Sequence, residues 1–488
     1  MKIDLIEEPL IEFGYDRHVD IRYGIHQLNP FDYQDKKRPA SITVGFVGTQ
    51  QSIAGAAAWM EQCRSLVERK ESRKYNLFPA FPGFHPDASF RSTFVTDATV
   101  SSAIGPGEFE KLKVLTSHNA RIEAAVGLFV ERIGDLKEKK VDVVVCAMPL
   151  ELITLIAESS AKEGAGGDSS ANLDEEDDTA SPSKYDFHDL LKARAMLTGL
   201  PIQVIRPGTW DEKNKAKESD DQSKSKRLQD PATRAWNFFT ALYYKAGGVP
   251  WRLPRSEADI STCFVGISFY LSLKRDKLLT SIAQVFNERG AGVIVRGKSA
   301  TRSKDDLQIH LDFAAAKDLL LNALKRYKRE HLNLPGRVVL HKTSSFDANE
   351  INGFEAALAE LGIDAYDFVY VSSSFSRLYR SGYYPPLRGT YLELDGTKGL
   401  IYTRGSVQFY EEYPGMYVPK TLLLTQERSW APLKHVAAEV MALTKMNWNN
   451  TQFDNLNPIT IRASRQVGSI LKYTSEDDKI EHLYKFFM

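Results

Sequence analysis

The chain has 488 residues, 43% of them hydrophobic, and its 63 basic side chains are matched by 63 acidic ones. At roughly 100–200 residues per domain that length suggests more than one domain, and the charge balance excludes a global basic field that would attach the protein to nucleic acid indiscriminately. Any nucleic-acid site must be a local groove. Cys63, Cys146 and Cys263 form no CxxC pair, so neither a disulfide framework nor a zinc site is expected. The opening MKIDLIEEPLIEF is acidic and lacks the basic, apolar, small-residue order of a signal peptide. No apolar run reaches the ~18 residues of a membrane span. The expectation is a soluble cytoplasmic protein.

In chain order, RPASITVGFVGT (38–49) reads as a buried strand, followed by a helix from about Gln51 to Lys70. VDVVVCAMP (141–149) is a second strand, followed by helical ELITLIAESS. PIQVIRP (201–207) is a third, preceded by helical FHDLLKARAML. Short apolar strands alternating with helices predict a parallel, Rossmann-like sheet. The glycines do not spell GxGxxG, so no dinucleotide site is inferred. A small-molecule enzyme on this half would need a phosphate loop or a nucleophile–base pair, and GFVGTQQ offers only a weak glycine turn. Two stretches, 163–184 and 211–230, are polar and charged and read as solvated loops.

From Cys263 the texture changes. CFVGISFYLSL and SIAQVFNERGAGVIVRG read as consecutive strands. A helix (about 314–329), a strand (337–346), a helix (about 349–361) and the strand DFVYVSSS follow, an order that suits an RNase H-like domain. A helix ending HVAAEVMALTKMNW and the segment NPITIRASRQVGSILKY close the sequence.

FHDLLKAR places His188 and Lys192 at i and i+4, on one helix face. Gln203 lies in the strand PIQVIRP, and Lys245 precedes Gly247-Gly248 in YYKAGGVPW. Ammonium, amide and imidazole donors that converge in this way suit a phosphate. Singly, each has an ordinary explanation: a solvated helix face for His188 and Lys192, a helix C-cap and turn for the glycine pair.

These segments resemble one family, the short prokaryotic Argonautes, which consist of a MID and a PIWI domain. The resemblance rests on NLFPAFPGF (76–84), FHDLLKAR, PIQVIR, YYKAGGVPW, VGIS, FDANEINGF, LTKMNW and NPITIR, in that order over nearly the whole chain. It implies an α/β architecture: an N-terminal segment 1–37 packing on the PIWI side, a Rossmann-like MID domain over 38–250 and an RNase H-like PIWI domain over 251–488. It further implies that His188, Lys192, Gln203 and Lys245 form the pocket for a guide's 5′-phosphate. In some members the C-terminal carboxylate holds a divalent ion, Mg2+, beside that phosphate. Met488 is the candidate here, although an assisting glutamine of one relative's pattern is replaced at Ala241. Asn237, Arg206, Arg296 and Lys298 are candidate backbone contacts, with Arg302 and Lys304 beside them; Tyr383 and Tyr384 are candidates for base stacking. Ordinary surface charge is the competing account of these basic residues.

An active PIWI domain hydrolyses with two metal ions held by several carboxylates. The resemblance places Ser268 and Thr343 where aspartates are needed, and Arg462–Ser464 where the last ligand belongs. Segments 263–271 and 337–345 contain no Asp or Glu; Asp305 and Asp306 are loop acids that would act as lone ligands. No slicing is expected. The resemblance then implies a sensor subunit: a guide RNA recognises invading single-stranded DNA, and a separate APAZ-containing partner carries the effector. That effector would be a sirtuin-like or TIR NAD hydrolase, or less commonly a nuclease. The alternative is an autonomous metal-dependent guided nuclease with unusual ligands.

Overall fold

The structure, a computed structural model, describes all residues except 1, 163–183, 212–228, 255–259, 282–284, 287–291, 380–384, 411–412, 414–417, 453 and 476–477. Most of the two polar stretches, together with Tyr383 and Tyr384, therefore lies outside the described residues.

The chain opens with β1 (Lys2–Leu5). The first sheet follows, built from β2 (Ser41–Gly48), β3 (Thr93–Ala103), β4 (Val143–Ala147) and β5 (Ile202–Ile205) in the order β3-β2-β4-β5. Every pairing in it is parallel. Its middle strands are continuous apolar runs because helices cover both faces. The covering helices include α1 (Gln50–Gln62), α2 (His118–Gly134), α3 (Phe187–Ala195) and α4 (Pro231–Lys245). Thr49 caps α1, Asp186 caps α3, and Asp230 caps α4 with Pro231 at the first helical position. Each such cap contributes about 1 kcal/mol.

Two expectations change in this half. The helix read from Gln51 to Lys70 ends at Gln62, because Arg64 turns aside to bond Thr93 Oγ1 and the Phe94 carbonyl. The strand β3, in a segment without an apolar run, has no counterpart in the sequence reading. The FPGF segment is core: Phe81 and Phe84 are fully buried and stack on Phe239 at 5.4 and 4.7 Å.

The second half opens with the long strand β6 (Thr262–Leu271), followed by β7 (Leu278–Ser281), β8 (Val285–Phe286) and β9 (Gly292–Val293). Helix α5 (Phe313–His331) leads to β10 (Arg337–Lys342), and α6 (Ala348–Glu360) to β11 (Ala365–Ser374). The strands β12 (Thr390–Glu393), β13 (Lys398–Ile401) and β14 (Thr421–Arg428) precede α7 (Leu433–Leu443) and α8 (Ile459–Leu471). The sheet order is β1-β12-β13-β14-β11-β10-β6-β8-β9, with β7 also on β6. Strands β6, β10 and β11 run parallel, whereas β7 and β8 join β6 antiparallel, the arrangement of an RNase H core.

The N-terminal segment touches both halves. β1 pairs with β12 at the sheet edge. Asp20 accepts from Tyr410 Oη, while Asp32 accepts from Tyr243 Oη at 2.6 Å. Glu8 forms ion pairs with Arg388 and Lys445, both buried.

YYKAGGVPW and LTKMNW meet where the halves join. The Tyr244 and Trp448 rings stack at 4.8 Å and 2°. Trp251 Nε1 donates to the Lys445 carbonyl and Trp448 Nε1 to the Trp251 carbonyl. Buried aromatic pairs of this kind add about 0.5–1.5 kcal/mol beyond their area. Gly247 (φ +99°) ends α4, and a Cβ at Gly248 would lie 2.3 Å from the Tyr243 ring, so the turn that follows Lys245 requires both glycines.

Candidate nucleic-acid binding site

Helix α3 carries His188 and Lys192, β5 carries Gln203, and Lys245 is the last residue of α4. The sheet brings these three elements together, and Lys245 Nζ donates to Gln203 Oε1. Lys192 and Lys245 are only 3% and 2% exposed. Burial lowers both ammonium groups, Lys192 to about 8 and Lys245 well below its usual range, the latter also because Lys192 faces it. Among the described residues neither has a carboxylate at ion-pair distance. Asp189 and Asp186 act on Lys192 only from further away. Two buried cations without a counter-charge are costly. A phosphate would supply that charge together with acceptors for both ammoniums.

His188 is half exposed, and its Nδ1 lies 3.3 Å from Asp189 Oδ1. Partial burial and Lys192 hold its imidazole below the usual range. The C-terminal tail reaches the same place. The Phe487 carbonyl accepts from Lys192 Nζ at 3.3 Å, and Met488 is buried. Sequence reasoning points to Met488 but not to Phe487; no sequence signal marks a backbone carbonyl. Ala241 lies in the core.

Donor atoms of Asp186, His188 and Asp189 all lie within 4.8 Å of one another, so this trio can hold a divalent ion beside Lys192. The Asp186 carboxyl is pushed up by burial and by Asp189, and it already caps the Asp189 N–H at 2.8 Å. One imidazole among two carboxylates suits manganese or zinc better than magnesium, which favours oxygen donors. The sequence reading does not single out these acids.

Asn237 Oδ1 accepts from the Thr451 N–H and its Nδ2 donates to Gln229. Arg206 is exposed at the start of a short helical turn. Arg296 donates to the Ser475 carbonyl and Thr474 Oγ1. Lys298 forms a surface ion pair with Asp318 at 2.6 Å. Arg302 and Lys304 are exposed.

At the sheet of the second half, Lys342 pairs with Ile267, which sets Thr343 beside Ser268 at adjoining strand ends; the Thr343 N–H donates to the Ile267 carbonyl at 3.2 Å. Ser268 is buried. Among the described residues, the second group able to hold a metal is His310, Asp347 and Glu350, which includes neither position. Glu350 is already satisfied by Lys342 Nζ at 2.7 Å, His310 Nδ1 at 3.1 Å and the Leu311 N–H at 2.8 Å.

No family model and no curated protein matches the sequence. Solved structures do match the fold. The Argonaute of Clostridium butyricum, bound to a guide DNA and a 19-mer target DNA, superposes with a TM-score of 0.61 at 16% identity, over all of this chain and 55% of that one. The chain has the fold of the MID–PIWI half of an Argonaute. Aa-Ago with externally bound siRNA (TM-score 0.58, 13% identity, 56% of its length) and A. aeolicus Argonaute (0.59, 12%, 55%) match over the full chain as well. The chain thus spans little more than half the length of these Argonautes. The half built on the first sheet is termed the MID unit and the half built on the second the PIWI unit, after the part of the Argonautes whose fold the chain resembles. Among the described residues no helix is long and apolar enough to cross a membrane.

Proposed function

We propose that this chain is the guide-binding subunit of a short Argonaute complex. It holds the 5′-phosphate of a guide RNA between Lys192 and Lys245, with Gln203 orienting Lys245 and His188 at the rim. The guide's bases pair with single-stranded invader DNA, so pairing reads sequence while the protein holds backbone, as in other guided systems. One observation carries this reading: two buried ammonium groups that face one another with no carboxylate at ion-pair distance among the described residues, in an Argonaute fold. Phosphate displaces the weak Phe487 contact and neutralises both lysines.

This chain does not cut. Ser268 and Thr343 occupy the adjoining strand ends, and neither belongs to a group of described residues able to hold a metal; hydroxyls in place of carboxylates are poor ligands for hard divalent ions. The output belongs to a separate APAZ-containing partner, an NAD hydrolase of sirtuin-like or TIR type rather than a nuclease, and the setting is defence against plasmids or phage. Asp186, His188 and Asp189, with the Met488 carboxylate, are the residues that would hold a divalent ion beside the phosphate; such an ion would add charge neutralisation there.

The test is binding of single strands that differ only at the 5′ end. A 5′-phosphorylated RNA should bind at least tenfold tighter than its 5′-hydroxyl twin, and a matched DNA target should stay intact with magnesium or manganese. Equal affinity for the two ends would overturn the pocket; cleavage would restore the nuclease alternative.

A further inference from the structure

A second basic pocket, lined by other residues than the Lys192–Lys245 site, lies in the PIWI unit. It is a cavity of about 300 Å³ between α5 and the tail residues 478–482. Lys325, Arg326 and Arg329 line it from α5, Arg296 from the segment after β9, and His482 and Asp478 from the tail. Among the described residues that line it, four cations thus face one carboxylate, in a chain whose net charge is zero. Among the described residues, Lys325, Arg326 and Arg329 have no carboxylate at ion-pair distance. Arg296 is anchored by Thr474 and Ser475, and its buried Nε has no hydrogen-bond partner among the described residues.

Complementing the α5 dipole does not account for this set. That role suits the final turn, where Lys328, Arg329 and His331 lie. Lys325 and Arg326 lie earlier, and Arg296 comes from another element. Enclosure and the adjacent Arg329 lower the Arg326 guanidinium, and enclosure and Arg326 lower the His482 imidazole, so the wall is electrostatically unfavourable when nothing is bound. Guanidinium forks pair bidentately with phosphate oxygens, which identifies the ligand chemistry.

We propose that Arg296, Lys325, Arg326 and Arg329 form a second phosphate-binding site, which takes backbone phosphate of a nucleic-acid strand. The choice of nucleic acid rests on the guide-binding reading; the anion chemistry does not. The tail links the two sites, because His482 lines this pocket and Phe487 contacts Lys192.

The experiment uses the full chain and an R326Q/R329Q variant, with folding checked by thermal melting. The probes are 5′-phosphorylated and 5′-hydroxyl single strands of equal sequence and inorganic tripolyphosphate. The variant should bind both strands about tenfold more weakly at low salt, with the ratio between the two ends unchanged. Its salt slope should fall by roughly 0.7 for each phosphate it no longer neutralises. Unchanged strand affinity with abolished tripolyphosphate binding would overturn the nucleic-acid assignment and leave a site for free polyphosphate. No change with either probe would overturn the site itself. Loss of the preference for the 5′-phosphate would overturn its independence from the Lys192–Lys245 pocket. If wild-type protein shows no preference between the ends, the guide pocket fails while the tripolyphosphate arm still decides this site.

Discussion

Lys192 Nζ donates to the Phe487 carbonyl at 3.3 Å, the long end of the hydrogen-bond range. A neutral carbonyl this far away compensates a buried ammonium only partly, so the pair marks where a stronger acceptor belongs. Replacing Lys192 and Lys245 together by Ala should weaken binding of a 5′-phosphorylated strand about 100-fold or more, since each charge-assisted bond contributes about 1.5–3 kcal/mol. A 5′-hydroxyl strand should lose far less. Fluorescence anisotropy with both strands measures the difference.

The same lysine sets a pH dependence. Burial depresses Lys192 from its ordinary 10.5 to about 8 in the folded chain. Between about pH 8 and 10.5 the unfolded chain therefore binds more protons at this residue, and stability rises with pH. Below about 8 the penalty of the buried charge is fully present. A bound phosphate reverses the preference by favouring the charged form, so guide affinity should fall as pH rises through about 8 and binding above it should take up a proton. Denaturation of wild type against Lys192→Met from about pH 7.5 to 10, with and without a guide strand, reads both signs; parallel curves would refute the assignment.

Gly266 tests the packing beneath Ser268 and Thr343. A Cβ there would lie 2.1 Å from the Thr460 carbonyl oxygen and 2.4 Å from its carbon, and both belong to backbone. Helix α8 would have to move. Gly266→Ala should destabilise the PIWI unit by about 1–3 kcal/mol, the range for overpacked cores, as read from the denaturant midpoint.

Lys342 and Glu350 are both fully buried and 2.7 Å apart. Removing one partner leaves a buried charge uncompensated. Lys342→Met should cost about 3–5 kcal/mol, and the double variant Lys342→Met/Glu350→Gln should recover part of it. Urea denaturation of the singles and the double measures that coupling.

How much of this is legible in the residues differs from place to place. VVVCA and the VVL core of RVVLHK are apolar runs, and both strands lie in their sheets with parallel neighbours. Strand β3, TFVTDATVSSA, lacks such a run and sits at the edge of its sheet, where many of its side chains meet water. The end of α1 depends on Arg64 reaching a strand that comes later in the chain. Lys192, Gln203 and Lys245 draw attention only through the motifs around them, because their spacing carries no period. The second basic pocket is illegible for the same reason. Only Arg296 stands out in the sequence, while the other walls come from 325–329 and 478–482 and meet through tertiary folding.

The edge pairing of β1 has a consequence for synthesis. Lys2 sits opposite Glu393, and Leu5 opposite Thr390, so β1 waits for a partner made almost 400 residues later. At about 5–20 residues per second that delay is on the order of half a minute. Ile3 and Leu5 remain exposed even in the finished sheet, so for that interval β1 is an open strand edge that carries two apolar side chains. Slowing the ribosome between the MID and PIWI units should lower the soluble yield of this chain more than slowing it after β12.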